Sequence, residues 1–151
     1  MSTAIHKKVA ACKAGTNPQL ITRMPSGWLI LGDVQFLHGY CLLMPDPVVP
    51  DLNAMSLKKR NEFLQDMSLV GDALLDVTAA IRINYEILGN LEPALHGHIF
   101  PRFSDEDPEL KTKPVWFYDW ENARAFDADT DQEIMLKIRN HLEQHGLIES
   151  Q

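Results

Sequence analysis

The chain has 151 residues, 45% of them apolar and 23% charged, with a formal net charge of −7. That composition suits one globular domain with a real core, and the acidic balance argues against a general nucleic-acid-binding surface. No apolar run is long enough to span a membrane, and two unpaired cysteines, Cys12 and Cys41, give no disulfide framework.

The opening residues Met1-Ser2-Thr3-Ala4-Ile5-His6-Lys7-Lys8 carry no long apolar run after their basic residues, so no signal peptide is expected and the predicted location is cytoplasmic. From about Thr3 to Ala14 the spacing of Ile5, Val9 and Cys12 predicts a short amphipathic helix, stopped by Gly15. Gln19 to Met24, the turn Pro25-Ser26-Gly27 and the run Trp28-Leu29-Ile30-Leu31 predict a hairpin. Phe36 to Met44 reads as a strand whose apolar end is buried on both faces, ended by Pro45-Asp46-Pro47. Ser56 is set to cap a long helix from about Leu57 to Arg82. Its buried stripe is Phe63, Met67, Val70, Leu74, Val77 and Ile81, with Asp66 among the residues of the wet side.

Ile83 to Leu88 alternates as a strand, residues 89–93 have turn chemistry, and Leu95 to Phe103 forms a second strand, its expected antiparallel neighbour. Ser104 to Pro108 reads as an acidic, mobile loop, and Pro114 to Trp120 as an aromatic segment with something to cover. Asp129 or Thr130 is placed to cap a final helix to about His145, with Ile134, Ile138 and Leu142 buried and Gly146 as its stop. The order predicts an α+β fold with a mainly antiparallel sheet.

Chemistry concentrates in Leu95-His96-Gly97-His98-Ile99-Phe100-Pro101-Arg102. On a strand His96 and His98 share a face. Two adjacent imidazoles are expensive to bury without partners, so each is either a satisfied core histidine or part of a site.

Asn84-Tyr85-Glu86-Ile87-Leu88-Gly89-Asn90, Pro93 and the His96-Gly97-His98-Ile99-Phe100-Pro101-Arg102 run together resemble the histidine-triad (HIT) superfamily of nucleotide hydrolases and transferases. The upstream Gly39-Tyr40-Cys41-Leu42-Leu43-Met44-Pro45 resembles that family's glycine–histidine strand, and the intervening helix stands where the family has one. The resemblance covers about residues 27–103 of a single domain spanning 1–151; the extension 104–151 is similar to a bacterial branch. Two positions depart from the pattern: Ala94 occupies the first triad position, and Tyr40 the place of a fourth histidine.

The resemblance implies a HIT-like fold, with the sheet packed by the long central helix and the C-terminal helix. It also implies attack by His96 on the α-phosphorus of a nucleotide phosphoanhydride or phosphoramidate, through a nucleotidyl-histidine intermediate. That requires a neutral imidazole whose other nitrogen is held by a hydrogen bond. His98 would donate to the phosphoryl group or protonate the leaving group. The alanine side chain at 94 cannot hydrogen-bond, so water or another side chain would have to do what the first triad residue does. Asn84, Asn90, Tyr40, Arg102 and His38 are the expected substrate-binding residues; Arg102 could instead pair with a carboxylate of the Ser104–Glu109 loop.

The family also implies a homodimer and a nucleotide as partner, with no cofactor required by the protein and magnesium only as a companion of a polyphosphate substrate. The alternatives are a nucleotide-binding protein with little or no turnover, motivated by Ala94, and a metal site built from His38, His96 and His98.

Overall fold

The computed structural model describes residues 2–146; the last residues of the extension expected over 104–151 lie outside them. Helix α1 covers Ala4–Ala14. Thr3 caps it, accepting from the His6 N–H while the His6 ring accepts from the Thr3 N–H, so the imidazole takes the place that Glu or Gln has in a capping box. The hairpin follows as β1 (Leu20–Met24) and β2 (Gly27–Leu31). Strand β3 is Cys41–Pro45, α2 is Leu57–Val77, β4 is Arg82–Glu86, β5 is Gly97–Arg102 and α3 is Gln132–Gln144. The sheet order is β1-β2-β3-β5-β4, and every pairing is antiparallel. The expected α+β class and antiparallel sheet are therefore what the chain forms.

Apolar packing lies on both faces of this sheet. On one, Leu29, Leu31, Leu43 and Ile99 meet Phe63, Met67, Val70 and Leu74 of α2 and Ile134, Ile138 and Leu142 of α3. A Cβ on Gly97 would lie 2.6 Å from the Met67 side chain, so α2 passes directly over this residue. On the other face, Ile30, Tyr40, Leu42, Met44 and Phe100 meet Ile5, Val9 and Cys12 of α1, with Val115 and Trp120 from the aromatic segment. Direct cross-strand partners share a face. Leu42 pairs with His98 and Asn84 with Phe100, which puts His98 on the α1 side, opposite α2.

Four expectations change. Phe36 to Tyr40 is not strand: Tyr40 N–H donates to the Leu37 carbonyl and Gly39 takes φ 106°, a tight turn that only glycine enters freely. The long helix stops at Val77, not Arg82, because the Thr78 hydroxyl and N–H both turn back onto the Leu74 carbonyl; Ile81 therefore leaves the buried stripe and is 66% exposed. Asp66, expected on the wet side, is buried and accepts from the Ser26 N–H at 2.8 Å, holding the β1–β2 turn against α2. The cap of α3 is Asp131, one residue beyond the expected pair, with its carboxylate spent on Arg124 and the Asp127 N–H.

Candidate active site

His96 stands just ahead of β5 and is 9% exposed. Its Nδ1 lies 2.7 Å from the carbonyl oxygen of Ala94. A carbonyl only accepts, so Nδ1 carries a proton, and in the singly protonated ring the lone pair is on Nε2. The expectation that water or a side chain must stand in at position 94 is thus corrected: the peptide oxygen holds the imidazole, and an alanine supplies that atom as well as any residue. The His96 and His98 rings meet edge to face, with centroids 4.9 Å apart.

His98 is half-buried and has more ring neighbours. Its Nδ1 is 2.7 Å from the Tyr40 hydroxyl. Tyr40 and His98 stack at 5.9 Å, Phe100 lies parallel to His98 at 5.7 Å, and the edge of Trp116 closes the side at 5.6 Å. Glu86, directly opposite His98 in the β4–β5 register, accepts from Trp116 Nε1 and so ties the aromatic segment to β4 beside the histidine strand. Burial, reinforced by the neighbouring His96, pushes the His98 imidazole down from 6.5 to about 4, so it is neutral at physiological pH. Neither cysteine competes as a nucleophile here: burial raises the Cys12 thiol to about 11 and raises that of Cys41 further.

The depressed His98 value has a consequence for stability. The unfolded chain takes up this proton first as the pH falls, so the contribution is complete above about 6.5 and is lost between there and about 4. Its size is up to about 3 kcal/mol. Urea titrations at pH 7 and pH 4.5 should show a drop in unfolding free energy that is smaller in His98→Asn; an equal drop in both proteins would assign the acid lability elsewhere.

The other expected site residues divide. Asn84 lies on the histidine side of β4, and its Oδ1 accepts from Arg102 Nη1 at 2.8 Å. Asn90 is exposed in the turn before β5. Arg102 does not present a free fork to a phosphate. Its donors reach both Glu106 oxygens, Asn84 Oδ1 and the carbonyls of Lys113 and Leu110. Of its two expected roles, the pairing with the acidic loop is the one the geometry supports, and the loop expected to be mobile is anchored by a buried ion pair. His38 is also removed from the site. The Gly39 turn breaks strand alternation, and His38 faces Arg124 and Asp131, at 3.4 and 3.6 Å. The three histidines of the metal reading therefore do not converge, and no cluster of three His, Cys, Asp or Glu suited to a metal occurs among the described residues.

Two participants were hidden from sequence reasoning. The Ala94 carbonyl is backbone and leaves no mark in residue type. Glu86 was read only as part of an alternating strand, although its register opposite His98 follows from pairing the two strands. Trp116 belongs to an aromatic cluster that the sequence offered either as packing or as a ring around the pocket, and its edge lies against His98.

No family model matches the chain, and no curated protein does. Solved structures do. A histidine triad protein from Marinobacter aquaeolei aligns over 95% of this chain and 98% of its own, with 16% identity and a TM-score of 0.72. A hypothetical histidine triad nucleotide-binding protein from Sulfolobus tokodaii aligns over 91% and 92%, with 15% identity and a TM-score of 0.71. The chain has the histidine-triad fold. A diadenosine triphosphate hydrolase from Plasmodium falciparum is a more distant likeness, with 13% identity, 84% of this chain and 78% of that one covered, and a TM-score of 0.56. The histidine-triad fold agrees with the strand–helix–strand order from which the resemblance was drawn.

Proposed function

We propose that this protein is a histidine-triad nucleotide hydrolase or nucleotidyl transferase, with His96 as nucleophile and His98 assisting. The observation that carries the proposal is the 2.7 Å contact from His96 Nδ1 to the Ala94 carbonyl, which assigns a proton to Nδ1 and so makes Nε2 the nitrogen that can attack. His96 Nε2 forms a bond to the α-phosphorus as the bond to the leaving group breaks. Water then attacks the phosphorus, giving up a proton to solvent, and the electron pair of the N–P bond returns to Nε2. The likeness to a diadenosine triphosphate hydrolase and to a nucleotide-binding protein supports a nucleotide as substrate. Asn84 is the amide best placed to reach a phosphoryl oxygen. Its oxygen is turned to Arg102, so its Nδ2 donors are available. No resident metal enters this chemistry; magnesium would arrive with a polyphosphate.

The pairing surface we propose for a homodimer is the outer side of α2 with the open edge of β4. Leu57, Leu64 and Leu75 recur on one line of α2 and are 65, 40 and 44% exposed, beside Ile81 and Tyr85. Sedimentation of the full chain reads the stoichiometry; a monomer at micromolar concentration removes this assignment.

The test of activity is turnover of a diadenosine polyphosphate and an adenosine phosphoramidate by the purified chain. Release of AMP from either supports the hydrolase. Binding of AMP with no turnover of either substrate favours the binding-protein reading, which Ala94 alone motivates.

A further inference from the structure

The hydrogen bonds around the two histidines fix more than the nucleophile. Tyr40 is 4% exposed, and its ring stacks on Phe100 at 4.2 Å. Its hydroxyl has a single protein partner among the described residues, His98 Nδ1 at 2.7 Å. Had His98 donated to the tyrosine oxygen, the buried O–H would be left without an acceptor, at the cost of an unmade hydrogen bond. The hydroxyl therefore donates, Nδ1 accepts, and the one imidazole proton of His98 sits on Nε2. The two rings carry opposite tautomers: His96 offers a lone pair at Nε2, and His98 an N–H at Nε2.

We propose that Tyr40 is a positioning residue that fixes His98 as a neutral Nε2–H donor, and that the site consequently favours leaving groups that depart without being protonated. The inference rests on the hydrolase reading above and narrows its substrate class.

In the first step the His96 Nε2–P bond forms and the P–X bond breaks, with its electron pair going to X. Where X is the oxygen of a nucleoside di- or triphosphate, the pair stays on a phosphate oxygen and no proton is needed. Where X is an amine nitrogen, the pair must be met by a proton. The groups that face the reacting centre do not supply one. Ala94 has no titratable side chain. The only His96 proton is on Nδ1, bound to the Ala94 carbonyl. His98 could release its Nε2 proton only by taking the Tyr40 proton onto Nδ1, which would leave a buried tyrosinate; burial, with Asp33, Cys41 and Glu86 adding to it, drives that hydroxyl well above its usual value. Glu86 accepts from Trp116. What His98 can do is hydrogen-bond a phosphoryl oxygen as charge develops on it, without any proton transfer.

The experiment compares diadenosine triphosphate with adenosine 5′-phosphoramidate at pH 7 on the full chain and on Tyr40→Phe. Nitrogen-15 spectra of the histidine rings are recorded for both proteins. The phenyl ring keeps the stack on Phe100, and an unchanged His96 signal checks that the variant folds. The wild type should cleave the phosphoanhydride faster by about a hundredfold or more, the scale of general-acid assistance that an amine would lack. His98 should show a protonated Nε2 and a bare Nδ1.

In Tyr40→Phe the His98 signals should move toward a tautomer mixture. Its kcat on the phosphoanhydride should fall on the order of ten- to a hundredfold, the usual effect of losing a group that orients a functional imidazole, with KM little changed. Equal or faster cleavage of the phosphoramidate by the wild type overturns the leaving-group selection. A proton on His98 Nδ1, or a Tyr40→Phe protein with unaltered His98 signals, overturns the positioning role. If the wild type cleaves neither substrate, the hydrolase reading and the selection fall together, while the ring spectra still decide what Tyr40 does.

Discussion

Replacing His96 by alanine should abolish turnover while leaving the fold in place. The loss should be roughly a thousandfold or more, because the covalent step we propose has no other route. No neighbouring group can take over. His98 has its Nδ1 occupied by Tyr40 and, by the argument above, its proton on Nε2, so it offers no lone pair toward the site. Both thiols are buried and held protonated. The cost to stability should be modest, since among the described residues the imidazole makes a single protein hydrogen bond, to the carbonyl two residues before it. Steady-state kinetics with folding checked by circular dichroism reads this directly; a variant that keeps a tenth of the activity would remove His96 as the nucleophile.

The second large effect falls on stability. Arg102→Ala should cost about 3–5 kcal/mol, the usual consequence of leaving one charge of a buried pair alone. The side chains of Arg102 and Glu106 are 7 and 6% exposed. Burial alone would raise the Glu106 carboxyl; the hydrogen bonds from Arg102, Tyr118 and the Phe103 N–H outweigh it and hold it below its ordinary value. The same guanidinium joins Asn84, Leu110 and Lys113, so one side chain fastens β4, β5 and the 104–113 loop together. Arg102→Lys should recover little, since one ammonium cannot reach acceptors spread around a planar fork. Denaturant midpoints of the three proteins measure this, and an Arg102→Ala midpoint equal to the wild type would show that the network holds nothing. Because Arg102 also sets the Asn84 amide, a shift in KM beyond the stability loss is expected.

Much of this was legible in the residues. The hairpin, the apolar stripe of α2 from Phe63 to Leu74 and the paired strands around 82–102 follow from period and turn chemistry, and each forms. The His96–His98 pair announced itself because polar rings inside an apolar strand demand partners. What escaped reading was decided by atoms that residue types do not display. His38 was placed with Tyr40 by strand alternation, and a single positive-φ glycine between them undid the alternation. The Ala94 side chain suggested a gap in the site, while its carbonyl filled it. Asp66 looked solvated by helical period and is instead spent on a backbone N–H of the β1–β2 turn. Arg102 offered two readings, of which pairing with a carboxylate of the Ser104–Glu109 loop was the favoured one, and the fold picks out Glu106 as that carboxylate.

The most direct test of the central claim is mass spectrometry of the intact protein, acid-free quenched within the first turnover of diadenosine triphosphate, followed by peptide mapping. The expected result is a species heavier by one adenylyl group, attached to the imidazole of His96, absent from His96→Ala and retained in His98→Asn, where its formation is slower. Turnover of the substrate with no such species at any time, or an adenylyl group carried by another residue, would contradict it.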